Sequence, residues 1–351
     1  MSEEINMSPL PPVRRTPDFD NLLAVFHREK PKRDTLYELF LNHRLYRRFC
    51  EPNHPALAMK TDFDFLRVCV SAFARAGYDY SYIDGPFDFA RTEIPHGRSI
   101  SMNASVLIYD RASFEAYPWP DPDKAYYSKW EKILDEMPPK MKLVSKCPHG
   151  VLESVMNIVG YENLCLMAYD DPGLLEDIFA RIGKTLVRHQ EIVSAFPSVG
   201  ACMCNDDWGH HTQTVFSPEM MGKYIFPWHQ KMIDAIHKNG KPALLHSCGN
   251  LTQIMDTIVT MGYDMKHSFE DSICPVEKMY DQWSDKISIV GGIDVDFICT
   301  KSLDEITERS RKMLRKAAAR GGYALGTGNS VADYISDERY LAMTKAALEN
   351  D

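Results

Sequence analysis

Two residues with side chains that commonly bind metals, His246 and Cys248, lie close together near the middle of the chain. They follow a short apolar run, Pro242 to Leu245, that is typical of a buried strand. Residues two positions apart in an extended strand project from the same face, so the imidazole and the thiol point together at the strand's carboxyl end. Imidazole nitrogen and thiolate sulfur both suit Zn²⁺. The pair predicts part of a zinc site whose remaining ligands come from elsewhere in the chain.

The elements that position this pair are indicated by a regular alternation of strands and helices. Helix starts are marked by Asp171-Pro172, Ser217-Pro218 and the capping box Ser302 to Glu305. Eight strands alternate with these helices and predict a (β/α)8 TIM barrel. An open doubly wound sheet is the alternative, but it would favour a glycine-rich phosphate turn after the first strand. The predicted strands end at Leu41, Ile83, Lys146, Cys204, Leu245, Phe269, Val290 and Leu325.

The chain reads as one domain with two additions. Residues 1–18 are rich in proline and predict a flexible N-terminal lead-in, and residues 19–351 form a single barrel domain. An insertion at about 86–139 interrupts the regular pattern and is expected over the barrel mouth. Alternation at 99–102 and 106–109 predicts a hairpin within it. Both a lid over the substrate and a purely structural excursion fit the insertion.

Composition excludes several classes of function. The chain has 351 residues, with 40 Lys and Arg against 49 Asp and Glu, and its net charge of −9 disfavours nonspecific binding of nucleic acid or of an anionic membrane. No apolar run approaches the length of about 18 residues that indicates a membrane span, and the N-terminus lacks a signal-peptide pattern. Nine cysteines, an odd number, favour reduced thiols. We expect a cytoplasmic protein, and an oligomer is compatible with the sequence.

Polar residues concentrate at the carboxyl ends of the predicted strands, which meet at one mouth in a barrel and carry the catalytic groups of that fold. This distribution predicts an enzyme, although Asp271 and Asp294 also suit helix caps. Trp208 and the aromatic residues and methionines that follow it suit an apolar pocket for a methoxylated ring, or equally the core. The strand-end residues are Asp84, Cys147, His149, Asp206, Asp207, His246, Cys248, Glu270, Asp271, Asp294 and Asn329.

Several segments together resemble the uroporphyrinogen decarboxylase superfamily, and within it the corrinoid-dependent methyltransferase branch more than the decarboxylases. The resemblance covers roughly residues 140–350. The segments that carry it are Asn205 to Gly209, Ser217 to Met220, His246 to Asn250, Gly291 to Asp294 and Gly326 to Asn329.

The resemblance implies a barrel that moves a methyl group between a small substrate and the cobalt of cobalamin on a separate corrinoid protein. In methylcobalamin:coenzyme M relatives, zinc is held by a His-x-Cys pair and a distant cysteine, which map here onto His246, Cys248 and a position at or near Thr327. Because this chain has no cysteine there, a third zinc ligand is expected from Asp206, Cys204 or Glu270. Decarboxylases carry an arginine-rich N-terminal segment, for which Arg14 and Arg15 are too isolated.

Cleaving a methyl ether requires stabilisation of the leaving oxygen by a Lewis-acid metal or a general acid. We therefore predict methyl transfer from a small methylated substrate, such as a methoxylated aromatic in an O-demethylase reaction, to cob(I)alamin. The open alternatives are a methylcobalamin:thiol methyltransferase, a uroporphyrinogen-type decarboxylase and a non-catalytic binding module. Predicted catalytic residues are Asp206, Asp207, His246 and Glu270, and predicted substrate-binding residues are Asp84, His149, Trp208, His210 and Asn329.

Overall fold

The structure is a computed structural model that describes residues 7–91 and 106–349. Within these residues the chain alternates strands and helices, as predicted. The strands are β1 Tyr80–Asp84, β2 Lys142–Lys146, β3 Val199–Asn205, β4 Ala243–His246, β5 Met265–His267, β6 Ser288–Val290 and β7 Tyr323–Ala324. The α-helices are α1 Asp20–Phe26, α2 His43–Phe49, α3 Asp62–Arg75, α4 Arg111–Ala116, α5 Ser128–Lys132, α6 Val151–Val159, α7 Tyr161–Asp170, α8 Pro172–Val193, α9 Pro218–Tyr224, α10 Phe226–Lys238, α11 Met255–Met261, α12 Val276–Trp283, α13 Val295–Thr300, α14 Leu303–Ala317 and α15 Asp337–Leu348.

The strands form one parallel sheet of seven, in which the spatial order β1 to β7 is also the order along the chain. Each strand therefore pairs with the next one through a connection that contains helices, and all carboxyl ends lie at the same edge. At that edge His246 of β4 pairs with Asn205 of β3 on one side and with His267 of β5 on the other. Paired residues in a parallel sheet project from the same face, so these three side chains are brought together.

The predicted first strand, 35–41, is not formed as a regular strand. Its pairing with the end of the sheet is limited to one bridge, Leu36 to Leu325, flanked by backbone hydrogen bonds of 2.8 Å. Beyond that bridge the backbone N–H and C=O of Glu38 bond the phenol of Tyr80 in β1, at 2.8 and 2.5 Å. Because a side chain takes up these backbone groups, regular strand pairing with β1 does not continue. The prediction of eight regular strands is corrected to seven strands and one bridged segment.

Most predicted helices are present, and their caps explain where they begin. Asp171, Ser217 and Ser302 each accept a hydrogen bond from a backbone N–H in the first turn of the helix that follows. The long helix predicted from Ser217 to Asn239 is divided into α9 and α10 at Ile225, whose φ of −113° departs from the value of about −63° in a regular helix. Pro227 lies in the first turn of α10, where a proline is tolerated, and so starts a helix instead of kinking one.

Helices α6 and α7 were not predicted, and the start of α6 depends on a distant contact. The backbone N–H groups of Leu152 and Glu153 in the first turn of α6 donate to Asp206, which follows β3, at 3.0 and 2.9 Å. Gly150 makes room for this carboxylate, since a Cβ there would lie 2.2 Å from the Asp206 side chain. The Glu153 side chain accepts from the Gly150 N–H at 3.2 Å, which is a local part of the cap, whereas the contact with Asp206 has no local sequence signal.

The insertion at 86–139 contains α4 and α5 in its described part, and the fully buried Trp130 of α5 packs into the core. Residues 99–102 of the predicted hairpin lie outside the described residues, and 106–109 form no strand. Ahead of α1, residues 7–18 form no helix or strand, but Leu10 and Val13 donate backbone hydrogen bonds to Arg48 and Arg75. None of the helices described is both long enough and apolar enough to cross a membrane.

Candidate metal centre

Three side chains with metal-binding atoms converge at the carboxyl edge of β3 and β4: Asp207, His246 and Cys248. One ligand atom from each lies within 4.8 Å of the others, and within residues 7–91 and 106–349 this is the one such group of three. The Nε2 of His246 is 3.7 Å from the Cys248 Sγ and 4.0 Å from the Asp207 Oδ1. The prediction that His246 and Cys248 point together is confirmed by these distances.

The loops that carry the ligands are held together by a close backbone approach. Gly249 has a φ of +82°, which favours glycine, and a Cβ at this position would lie 2.2 Å from the carbonyl of Gly209. The Cys248 N–H donates to the Asp207 Oδ1 at 2.9 Å. Packing of the loop after β4 on the loop after β3 therefore sets the position of both the thiol and the carboxylate.

Hydrogen bonds fix which nitrogen of His246 faces the thiol and the carboxylate. His267 has its Nε2 3.2 Å from the Thr327 carbonyl oxygen, which only accepts, so this Nε2 carries a proton. Its Nδ1 is then an acceptor in a neutral ring and takes a hydrogen bond from the His246 Nδ1–H at 2.8 Å. The His246 Nε2 is left with a free electron pair directed toward Cys248 and Asp207. In protein metal sites, a metal-binding histidine regularly donates its other ring N–H to a neighbouring group, as His246 does to His267.

Burial favours the neutral form of both imidazoles. Removal from solvent lowers the pKa of His246 well below its ordinary value, and the neighbouring His267 lowers it further. Burial also lowers the pKa of His267 to about 3. The tautomer assignment, which needs uncharged rings, thus holds at neutral pH. The pKa of the Cys248 thiol is raised to about 12, first by burial and then by the charge of Asp207.

The separation between His246 and Cys248 fits a tetrahedral zinc ion. Zinc bonds of ordinary length to nitrogen and sulfur at the tetrahedral angle imply an N···S separation of about 3.6 Å, and the observed His246 to Cys248 distance is 3.7 Å. The same geometry implies about 3.4 Å between nitrogen and a carboxylate oxygen, against 4.0 Å observed for Asp207. Asn205, which pairs with His246, has a buried Oδ1 without a hydrogen-bond partner among the described residues. Nitrogen, sulfur and oxygen ligands in this combination suit Zn²⁺.

Asp206 was predicted as a catalytic residue and as a third ligand, and its contacts do not fit either role. It is fully buried. Besides capping α6, its Oδ2 accepts the indole N–H of Trp208 at 2.8 Å and lies 3.0 Å from the Nε2 of His229. Three of these contacts fall on Oδ2 and one on Oδ1, so a buried carboxylate that already has four partners is occupied by structural hydrogen bonds. Its neighbour Asp207, predicted as catalytic only, is the carboxylate that belongs to the group of three.

The other two proposed third ligands also lie outside the group. Cys204 is buried on the face of β3 that packs against α8, where its Sγ lies 3.9 Å from the Gln190 Nε2. Glu270 follows β5 and lines a narrow pocket beside Cys248 together with Lys266 and Ser268. Neither residue belongs to the group of three, although Glu270 lies close to it.

Thr327 replaces the cysteine expected from the resemblance, and its side chain is engaged elsewhere. Its N–H and hydroxyl donate to the two carboxyl oxygens of Glu38 at 2.8 and 2.7 Å. Asn329, two residues further on, donates its amide N–H to the Cys248 Sγ at 3.3 Å. Asn329 was predicted to bind substrate, and the structure places it against the thiol.

The remaining predicted substrate-binding residues are dispersed. Asp84 pairs with Lys146 at 2.8 Å, and the His149 Nδ1 lies 2.9 Å from Asp88. Trp208 is fully buried with its ring 4.7 Å from that of His229. The interpretation of Trp208 as a substrate contact is corrected, because its indole N–H donates to Asp206 and its ring is buried in the core. His210 is exposed and touches the site only through its backbone, which accepts from the Asn250 N–H.

Three residues close to the site were not predicted from the sequence. His267 and Lys266 lie in β5, which ends at His267 and not at the predicted Phe269, so that His267 pairs with His246. Burial lowers the pKa of Lys266 to about 8. Glu153 gave no sequence signal, since only the fold brings it beside Asp206 and Asp207. Its pKa is raised to about 8, first by burial and then by those two carboxylates.

Comparison with solved structures supports the fold. A methyltransferase from Methanosarcina mazei superposes with a TM-score of 0.68 and 14% identity, covering 94% of this chain and 98% of that chain. A xylanase from Gloeophyllum trabeum gives a TM-score of 0.41 at 10% identity over 66% of this chain and 84% of that one. Xylanase B from Clostridium stercorarium gives 0.39 at 9% identity over 69% and 87%. The two xylanases are too distant to inform the site, and at 14% identity the first likeness concerns the fold.

Sequence comparison supplies the family. No curated protein matches this chain. The model of the uroporphyrinogen decarboxylase family matches residues 103–349, which span all strands from β2 to β7 and all three residues of the candidate metal centre. Because this match covers well over half of the chain, the protein belongs to the uroporphyrinogen decarboxylase family.

Proposed function

We propose that this protein is a corrinoid-dependent methyltransferase that takes a methyl group from a small methylated substrate and passes it to cob(I)alamin on a partner protein. The observation that carries the proposal is the group of Asp207, His246 and Cys248, with His267 fixing the ligand tautomer of His246. Membership of the family and the fold shared with a Methanosarcina mazei methyltransferase support it. Zn²⁺ bound by these three residues would act as a Lewis acid on the heteroatom that loses the methyl group.

The protein's own residues define the surroundings of that heteroatom. Asn329 donates to the Cys248 sulfur and reduces its charge when it is a thiolate. Lys266 is buried beside the thiol and places a cationic amine close to the site. A positive environment of this kind favours the negative charge that develops on a leaving oxygen, in agreement with methyl ethers as donors.

Two rival functions of the same family are less well supported. A methylcobalamin:thiol methyltransferase of the coenzyme M type would use a third cysteine, and here Thr327 turns its hydroxyl toward Glu38. A uroporphyrinogen-type decarboxylase would use arginines to grip carboxylates. Arg15 is buried and donates to the backbone carbonyls of Asp34 and Ala347, away from the strand ends.

The test combines metal analysis with a methyl-transfer assay. The purified protein is loaded with zinc, and reduced cob(I)alamin is mixed with a panel of methoxylated aromatics, thioethers and methylamines. Formation of methylcobalamin is followed by absorbance. We expect turnover with a methoxylated aromatic, and loss of at least about 100-fold in rate on Cys248→Ser because the sulfur ligand is removed.

Control experiments distinguish the proposed function from its rivals. Cys299→Ser, a half-buried thiol on α13, should leave the rate unchanged. Absence of methylcobalamin from the whole panel would contradict the proposal. Thiol methylation from methylcobalamin, or release of CO₂ from a porphyrinogen, would instead support the corresponding rival. If no variant of the three ligands changes zinc content or any turnover, a non-catalytic binding module is the better description.

We also infer that the sheet closes as a (β/α)8 barrel, with segment 35–41 in the eighth position. Its bridge to Leu325 and its contacts with Tyr80 reach both ends of the seven-stranded sheet. Amide hydrogen exchange tests this inference: the amides of Tyr37 and Leu325, which donate across the bridge, should be protected as strongly as those of β6.

A further inference from the structure

Asn205, the last residue of β3, carries an amide group that the function proposed above does not use. Its Oδ1 is buried, and no donor from residues 7–91 or 106–349 reaches it. Leaving a buried acceptor without a hydrogen bond is costly. Tyr37 and Gln190 also have such an atom, but Asn205 differs from them because it pairs with His246 at the strand ends.

The strand register places Asn205 at one corner of a group of four side chains. It pairs with His246 across β3 and β4, and paired residues of a parallel sheet project from the same face. Residues two positions apart also share a face, so Asn205 lies one layer behind Asp207, as His246 lies one layer behind Cys248. The Cys248 N–H donates to Asp207 at 2.9 Å, which keeps the two outer residues side by side. Three of the four residues form the candidate metal centre, and Asn205 is the fourth.

The surroundings of the amide oxygen are those of a metal ligand. The ligand atoms of Asp207, His246 and Cys248 lie within 4.8 Å of one another. A water molecule needs about 2.8 Å to each polar neighbour, so none fits in the plane of these three atoms. An oxygen that faces them from inside the sheet is therefore shielded from solvent. Burial and the lack of a donor within the protein are both expected of a ligand atom, because its lone pair binds the metal.

An uncharged oxygen also suits this position chemically. Zn²⁺ usually takes four ligands in proteins, and Asp207, His246 and Cys248 supply three. The carboxylate of Asp207 and the thiolate of Cys248 balance the two positive charges of the ion, so a neutral fourth ligand leaves the centre uncharged. An amide is held less tightly than a carboxylate and is more easily replaced by a substrate. Catalytic zinc sites need one position that a substrate can occupy.

We propose that Asn205 supplies the fourth ligand of the metal centre through its amide oxygen, and that it yields this position to the heteroatom of the methyl donor. The assignment as a ligand rests on the candidate metal centre alone. Only the exchange with the methyl donor rests on the proposed function.

The ligand assignment is tested in the full-length protein loaded with Co²⁺, whose visible absorption bands depend on the atoms bound to it. We expect Asn205→Ala to shift these bands and to weaken zinc binding by at least about tenfold. Asn205→Asp keeps an oxygen in place and should bind zinc at least as tightly as the wild type. The matched control is Asn239→Ala at the end of α10, where the amide donates to the Ser194 hydroxyl at 2.8 Å. Its spectrum should superpose on that of the wild type.

The exchange is tested with azide, a small anion that binds to open metal positions. A charged carboxylate is displaced less easily than an amide, so Asn205→Asp should bind azide at least about tenfold more weakly than the wild type. In the methyl-transfer assay the same variant, with a full zinc content, should lose at least about tenfold in kcat/KM.

The outcomes separate this inference from the proposed function. Lack of Co²⁺ binding by the wild type, or superposable spectra and equal zinc affinities of wild type and Asn205→Ala, would overturn the ligand assignment. Equal azide affinities of wild type and Asn205→Asp would overturn the exchange. A cobalt spectrum that depends on Asn205, without methyl transfer from any donor, would support the ligand and count against the proposed function.

Thermal melting of each metal-free variant shows whether a change in metal binding results from unfolding. If Asn205→Ala does not fold, Asn205→Asp, which has nearly the same shape as the wild-type residue, carries the test. Replacing an amide ligand by a carboxylate also shifts the cobalt bands, and an unchanged spectrum would exclude Asn205 as a ligand.

Discussion

At the scale of single residues, the candidate site depends on a hydrogen-bonded pair of imidazoles. His246 is available as a ligand through Nε2 because its Nδ1–H is given to His267, whose own Nε2–H is given to the Thr327 carbonyl. His267 contributes no atom to the group of three metal-binding side chains. Its effect on metal binding is therefore indirect, through the orientation and tautomer of its neighbour.

The first prediction removes that orientation. His267→Phe keeps a ring of similar size and deletes the acceptor, so zinc affinity should fall by about 10- to 100-fold. His267→Asn places an amide oxygen near the former Nδ1 and should restore part of the loss. Zinc affinity is measured by competition with a chromogenic chelator. Equal affinities of wild type and His267→Phe would show that the tautomer of His246 is set by something else.

The second prediction concerns Asp207, whose side chain is 43% exposed. Asp207→Asn removes a charged oxygen from the ligand set, so zinc should bind at least about tenfold more weakly. Few packing contacts depend on so exposed a group, and the melting temperature of the zinc-free protein should change little. Retention of wild-type zinc affinity would exclude Asp207 as a ligand.

At the scale of elements, Asp206, the neighbour of Asp207, makes structural contacts. Asp206 follows β3 and holds the amino end of α6, the indole of Trp208 and the imidazole of His229. The Nδ1 of His229 lies 2.6 Å from the phenol oxygen of Tyr263, which extends the hydrogen-bond network. One buried side chain thus connects the end of β3 to the start of α6 and to α10, whereas the adjacent Asp207 belongs to the candidate metal centre.

The third prediction follows from this division. In Asp206→Asn an amide group faces hydrogen-bond donors, so the free energy of unfolding should fall by about 2 to 4 kcal/mol. It is measured by urea unfolding of the zinc-free protein, with Asp207→Asn as the matched control. A loss below about 1 kcal/mol would mean that the cap on α6 is dispensable.

At the scale of the whole molecule, Glu38 connects the start of the chain to its last strand. Its carboxyl group accepts from the N–H and hydroxyl of Thr327, and Thr327 in turn accepts from His267. The segment that bridges the end of the sheet is therefore linked through hydrogen bonds to the candidate metal centre. Burial raises the pKa of Glu38 to about 8, against an ordinary value of 4.5.

The fourth prediction is the pH dependence that this shift implies. Between the ordinary pKa of 4.5 and the folded pKa of about 8, the folded protein keeps a proton on Glu38 that the unfolded chain has lost. The contribution of this group to stability is therefore complete at low pH and is lost as the pH rises to about 8. Glu38→Gln does not titrate, so its unfolding free energy should fall less steeply from pH 5 to pH 8. Parallel urea-unfolding curves for the two proteins would contradict the shift.

The sequence by itself determined the alternation of elements, the helix caps and the family, because these follow from periodicity, local hydrogen bonding and short motifs. It also determined that His246 and Cys248 face the same way, since strand geometry repeats every two residues. It did not distinguish the roles of Asp206 and Asp207, which are adjacent and chemically identical in the sequence.

Only the tertiary structure decided between them, because the choice depends on donors from residues 152, 153 and 229 that surround one aspartate and not the other. The same holds for Lys266, whose burial is decided by tertiary packing, and for Glu38, which contacts a strand end 289 residues away. Contacts between distant segments leave no periodic or local signal in the sequence. The role of a side chain depends on these contacts as well as on its residue type.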